Sequence, residues 1–231
     1  MIALAQRRAA DQGYASEAPL KIAVLASGRG SNLRAIAHAI DEERCRAELV
    51  AVISDKADAP ALAFASERGV PTAVVSPRQY ASREAWDAAL ADVVAGYGPE
   101  LVVLAGFMRI VGPAMLARFP HRIVNVHPAL LPSFPGAHGA RDALAKGVRI
   151  SGCTVHVVDA GVDTGPILAQ AAVPVLPSDT EQSLQARIQG CEHRLLPRVI
   201  DAIARGAIVP GPTPTFAPDL AFPDLALFAP A

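Results

Sequence analysis

Asn125-Val126-His127-Pro128, followed further along the chain by Asp163-Thr164-Gly165, supplies an amide, an imidazole and a carboxylate. An amide N–H can stabilise a developing oxyanion. An imidazole can move a proton near neutral pH. A carboxylate can orient that ring and stabilise its charged form. Asn125 and His127 lie two residues apart at the end of an apolar run, so on a strand their side chains share one side and could meet one reacting atom. Pro128 then ends the strand by removing a ladder donor. Taken alone, a strand-end histidine is as readily a structural hydrogen-bonding residue as a catalyst. His156, inside Thr154-Val155-His156-Val157, is either a core residue or a ligand contact, and His38, His121, His138 and His193 are weaker candidates. No His-x-x-x-His or Cys-x-x-Cys pair occurs, which disfavours a metal site.

A second feature is the turn Ser27-Gly28-Arg29-Gly30-Ser31-Asn32. Glycine permits positive φ and close backbone approach, and free N–H groups at a helix start favour a phosphate. A dinucleotide loop would have a third glycine where this chain has Leu33, and a Walker loop would not read Leu33-Arg34-Ala35. The turn therefore favours a monophosphate ester over NAD or ATP, with an ordinary strand-to-helix turn as the alternative.

The elements that must position these residues alternate. Apolar runs at 20–26, 49–53, 72–75, 101–104 and 122–126 read as strands. Residues 33–40, 59–68 and a segment from Ser82 to about residue 95 read as helices, with Ser82 as a cap and a short helix after Pro113. Strand–helix alternation predicts an α/β fold: a Rossmann-like, mostly parallel twisted sheet with helices on both faces, whose crevice at the strand ends holds the ligand. The second half changes character. Residues 155–158 and 167–175 read as two strands joined by the Asp163 turn, hence antiparallel, and a long helix follows over 179–205 with a possible kink at Pro197. Residues 1–19 read as a leader of low order, 20–206 as one domain, and 207–231, with Pro210, Pro212, Pro214, Pro218, Pro223 and Pro230, as an extended, partly disordered tail.

Hydrophobic residues make up 52% of the 231 and charged residues 19%, enough for a substantial core. A net charge of −1 gives no general reason to bind nucleic acid or an anionic membrane, and no apolar run is long enough to span a bilayer. Three scattered cysteines, Cys45, Cys153 and Cys191, fit a reduced, cytoplasmic chain.

Read in order, Ser27-Gly28-x-Gly30-Ser31-Asn32-Leu33, Ser54-Asp55-Lys56-Ala57, Ser82-Arg83-Glu84, Leu104-Ala105-Gly106-Phe107-Met108-Arg109-Ile110, Asn125-x-His127-Pro128-x-Leu130-Leu131-Pro132 and Asp163-x-Gly165-Pro166-Ile167 resemble the phosphoribosylglycinamide formyltransferases (glycinamide ribonucleotide transformylases), a folate-dependent formyltransferase family. The resemblance spans roughly residues 20–205 and implies the formyltransferase fold. It implies transfer of a formyl group from 10-formyltetrahydrofolate, as co-substrate, to the amine of 5'-phosphoribosylglycinamide in purine synthesis. It implies small-molecule substrates, no nucleic acid, no membrane, no metal, and a monomer or homodimer. By the same resemblance Asn125, His127 and Asp163 are catalytic, with protonated His127 and Asn125 stabilising the tetrahedral oxyanion and His156 in support. Gly30, Ser31 and Asn32 hold the phosphate, and Glu192 meets the ribonucleotide. Arg83, Met108, Arg109, Ile110, Val111 and Asn125 line the folate pocket. Leu131-Pro132 is expected to be cis, and the loop after Gly136, reading Ala137-His138-Gly139-Ala140-Arg141 where many relatives are more polar, to be mobile. A methionyl-tRNA formyltransferase would need a C-terminal tRNA-binding domain, and a deformylase an N-terminal regulatory one. Hydrolysis of the formyl folate, formyl transfer to another amine, and a non-catalytic nucleotide-binding domain are the alternatives.

Overall fold

The computed structural model describes residues 18–220. Nine strands and six α-helices follow in order among the described residues: β1 (Leu20–Leu25), α1 (Ser31–Asp41), β2 (Ala47–Ser54), α2 (Pro60–Glu67), β3 (Thr72–Val74), α3 (Arg83–Gly96), β4 (Leu101–Leu104), α4 (Pro113–Arg118), β5 (Ile123–His127), α5 (Gly139–Lys146), β6 (Ile150–Val157), β7 (Ile167–Pro174), α6 (Glu181–Ala204), β8 (Ile208–Val209) and β9 (Thr215–Phe216). Seven strands form one sheet in the order β3-β2-β1-β4-β5-β6-β7. The first five in that order pair in parallel, and β6 runs antiparallel to both β5 and β7. This is the expected α/β architecture, with its antiparallel strands in the C-terminal half.

Alternate residues of the central strands feed two cores, one on each face. Ile22, Val24, Val103, Val124 and Val126 pack toward α1, α2 and α6. Ala23, Leu25, Val102, Leu104 and Ile123 pack toward α3 and α4. Strands buried on both faces read as continuous apolar runs rather than alternations, which is why β1 and β4 were legible as strands. The strand order reverses between β1 and β4, so a crevice opens there beyond the carboxyl ends of the strands.

Capping fixes where several helices begin. Ser82 Oγ accepts from Ala85 N at 3.1 Å at the start of α3, as its sequence position predicts. Thr180 and Ser183 form a reciprocal capping box at the start of α6. That helix continues through Pro197, whose ring removes the bond to the His193 carbonyl without ending it. The start of α4 is held from outside. Asp87 of α3, only 2% exposed, accepts from Gly112 N at 2.6 Å and Ala114 N at 2.7 Å.

Three readings differ from the fold. Residues 139–146, read as loop, form α5. β6 begins at Ile150 rather than 155. The segment read as an extended tail folds back within the described residues: Ile208–Val209 pairs antiparallel with Thr215–Phe216, and Ile208 is fully buried. The intervening prolines occupy the turn and leave the ladder donors intact. Residues 1–17 and 221–231 of the expected leader and tail lie outside the described residues. Asp87→Ala leaves the first amides of α4 without acceptors in a buried site. It should cost about 2–3 kcal/mol in urea unfolding. An unchanged midpoint and slope would show that water replaces the carboxylate at no cost.

Candidate active site

β5 carries its alternation to its last residue. Because Val124 and Val126 point into one core, Asn125 and His127 point to the other face, beside Ile123. β6 pairs with β5 so that Asn125 faces His156 and His127 faces Thr154. Asn125 Nδ2 lies 3.2 Å from His156 Nε2, and His156 Nδ1 lies 3.0 Å from the Val157 carbonyl. A neutral His156 with its proton on Nδ1 donates to Val157 and accepts from Asn125. One amide N–H of Asn125 then remains for a ligand.

After β6 the chain turns and comes back. Gly165 makes the return possible, since a Cβ there would overlap the Val157 carbonyl. The turn places Asp163, itself left-handed at φ 56°, against both imidazoles. Its Oδ2 is 3.3 Å from His127 Nδ1, and its Oδ1 is 3.6 Å from His156 Nε2. Gly136 N donates to Asp163 Oδ2 at 2.8 Å. The other nitrogen of His127, Nε2, lies 2.8 Å from the Phe134 carbonyl. His127 thus sits between two acceptors, and only the imidazolium can satisfy both with protons.

Burial decides its resting charge. His127 is 3% exposed, and desolvation pulls its pKa down more than Asp163 and the Phe134 carbonyl push it up, so the net shift is downward. The shift favours the neutral ring at rest. Asp163 also ends below its usual range. Burial raises it, but the neighbouring imidazoles of His156 and His127 and the bond from the Gly136 amide outweigh that effect. For both groups the folded state binds protons less readily than the unfolded chain. The stability contribution of His127 is complete above about pH 6.5 and is lost as pH falls through its folded value.

The trio stands at one wall of a cavity of ≈ 330 Å³. Met108, Arg109, Ile110 and Val111, each named from the sequence, line the same cavity with Asn125 and His156. Met108 and Ile110 are 69% and 51% exposed, unusual for apolar side chains unless something covers them. Arg83 does not line the cavity. Its guanidinium donates to the Ile110 carbonyl at 2.8 Å and braces the loop from outside.

The glycine turn forms a separate spot. Gly30 is left-handed at φ 71°, and a Cβ there would come within 2.8 Å of Ala61 Cβ, so glycine is required. No side chain caps α1, which leaves its first amides for a ligand. Asn32 Nδ2 donates to Glu192 Oε2 at 2.9 Å, and both residues are buried. Burial raises the Glu192 carboxyl, and the Asn32 bond offsets only part of this. Gly30, Ser31, Asn32 and Glu192 are therefore gathered together, but outside the lining of the cavity that holds the trio. Leu131-Pro132 is cis. Its turn is held by Thr154, which accepts from Leu131 N and donates to the Ala129 carbonyl.

Two site contributors went unread in the sequence, the Phe134 carbonyl and the Gly136 amide. Backbone groups have no letter of their own, and only the Pro135-Gly136 turn signal marks the place. Among the described residues no group of three or more His, Cys, Asp or Glu side chains could hold a metal ion. Asp163→Asn removes the charge that most raises His127. An NMR titration of the imidazole should show a midpoint below 6.5 in the parent and lower still in the variant. A midpoint that rises in the variant would contradict the assignment.

Residues 20–200 match the family described as formyl transferase. The phosphoribosylglycinamide formyltransferase of Mycobacterium tuberculosis is 50% identical over 199 residues, which is 86% of this chain and 92% of the relative. That of Escherichia coli K12 is 42% identical over 189 residues, 82% of this chain and 89% of the relative. The solved structure of glycinamide ribonucleotide transformylase 1 from Symbiobacterium toebii aligns with a TM-score of 0.84 at 48% identity, covering 87% of this chain and 95% of that one. By motif order, sheet topology and identity over nearly its whole described length, the chain belongs to the formyl transferase family, among the phosphoribosylglycinamide formyltransferases.

Proposed function

We propose that this protein transfers the formyl group of 10-formyltetrahydrofolate to the amine of 5'-phosphoribosylglycinamide, giving formylglycinamide ribonucleotide and tetrahydrofolate in purine biosynthesis. The observation that carries the proposal is the cluster of Asn125, His127 and Asp163 at the wall of a mostly apolar cavity, in a chain of this family. The folate lies against residues 108–111. The phosphate sits on the amides of Gly30, Ser31 and Asn32, and Glu192 meets the ribonucleotide beside it.

The neutral amine attacks the formyl carbon, and the carbonyl electron pair becomes an oxyanion. The free N–H of Asn125 donates to that oxygen, a contact worth about 2.7–4 kcal/mol when it forms only in the transition state. The proton leaves the attacking nitrogen for the His127–Asp163 pair, in which Asp163 stabilises the imidazolium as it forms. The carbon–N10 bond then breaks and the proton passes to N10, releasing tetrahydrofolate and restoring the neutral ring. A neutral resting imidazole is the form this sequence needs. Aligning two bound substrates supplies much of the remaining acceleration.

The test is a folate-absorbance assay with and without the ribonucleotide. Tetrahydrofolate released only with the ribonucleotide present is the expected result. Release without it would mean hydrolysis, and no release from a ligand-binding protein would mean a different acceptor or no catalysis. Asn125→Ala should lower kcat by about a hundredfold or more, with each KM changed far less. A loss confined to KM would contradict the oxyanion role.

A further inference from the structure

The motif Ser54-Asp55-Lys56-Ala57 has no part in the chemistry described above, yet its acid is tied to the cavity. Asp55 follows the carboxyl end of β2, Ser27 follows β1, and the loop of residues 106–111 follows β4. These three strands are neighbours in the sheet, and the last two flank the point where its order reverses. Ser27 N donates to the Gly106 carbonyl at 3.1 Å, and Met108 N donates to Ser27 Oγ at 2.8 Å. Arg109 Nε donates to Asp55 Oδ2 at 2.8 Å. Arg83 holds Ile110 from the other side, and Phe107 stacks on Trp86 with ring centroids 6.5 Å apart. Nearly every residue of the loop is anchored, and only the Asp55 anchor joins opposite charges.

That pair is asymmetric. The Asp55 side chain is 0% exposed, whereas that of Arg109 is 47% exposed. A solvated ion pair holds a loop weakly. A buried carboxylate costs much more if its partner leaves, because its charge is then uncompensated. The fold therefore supplies a fixed acid, and the loop must stay where its arginine can reach it. Ser27 and Arg109 hold the carboxyl below its usual range against the upward pull of burial, so it stays charged.

We propose that Asp55 is a positioning residue for the folate pocket: with Ser27 it holds residues 106–111 in the shape that receives the formyl folate. The proposal rests on the formyltransferase reading and adds a residue that touches neither substrate. Asp55→Asn keeps the side-chain volume and removes the charge. In steady-state assays it should raise KM for 10-formyltetrahydrofolate about tenfold, the scale of one charge-assisted hydrogen bond. KM for the ribonucleotide and kcat at saturating folate should stay within about twofold. The chain's one tryptophan, Trp86, lies against the loop, so its fluorescence on titration with tetrahydrofolate should show the same loss of affinity. An unchanged folate KM, or a parallel rise of both KM values with a lowered Tm, would overturn the proposal. Should Asp55→Asn not melt cooperatively, Ser27→Ala removes the Met108 anchor and must show the same selective folate effect, or the proposal falls. Wild-type protein that neither binds tetrahydrofolate nor transfers formyl would overturn the enzymatic reading and the positioning role with it; active wild type with an unaffected variant would overturn the positioning role alone.

Discussion

The antiparallel pairing of β6 with β5 is the constraint on which the site depends. A sixth parallel strand would have carried the chain away from the strand ends where the cavity opens. Running backward, β6 sets His156 opposite Asn125, and the return into β7 drops Asp163 onto His127. The donor, the imidazole and the carboxylate are fixed by sheet register and one tight turn rather than by long side chains. A register slip of one residue would turn Asn125 and His127 into the opposite core, so packing of Val124 and Val126 protects the chemistry.

Two opposing electrostatic effects meet at His127. Desolvation favours the neutral ring, while acceptors on both nitrogens favour the charged one. Desolvation wins at rest, although Asp163 remains close and charged. Such a ring can gain a proton without rearrangement, since both acceptors already stand where the imidazolium needs them. The arrangement is assembled from three residues on two loops, Phe134 and Gly136 on one and Asp163 on the other. All three adopt left-handed backbone conformations, and two of them are not glycine. Backbone strain of this kind persists where the surroundings over-determine it, and here it brings a carbonyl, an amide and a carboxylate onto one pair of rings.

Much of this was legible in the sequence. The buried parallel strands announced themselves as apolar runs, and the two-residue spacing of Asn125 and His127 put them on one side of β5. Ser82 marked a helix start, and the Asp163 turn implied the antiparallel return. What stayed hidden had physical reasons. Helix α1 begins at Ser31, before the apolar periodicity shows, because Gly30 in a left-handed conformation starts it. The ordered hairpin of β8 and β9 was masked by prolines that fall in its turn. Arg83 carried the right type for a pocket residue, but it spends its guanidinium on a carbonyl of the pocket loop. The resting charge of His127 depends on burial, which no local pattern encodes.

The central claim is that His127 and Asp163 act as one unit on the transferred proton. A double-mutant cycle on the single-turnover rate of formyl transfer tests it most directly, using His127→Ala, Asp163→Ala and the pair together. If the two form a unit, the double variant is about as slow as the slower single variant, and the coupling energy is large. Losses that simply multiply would contradict the claim and leave the two side chains with independent roles.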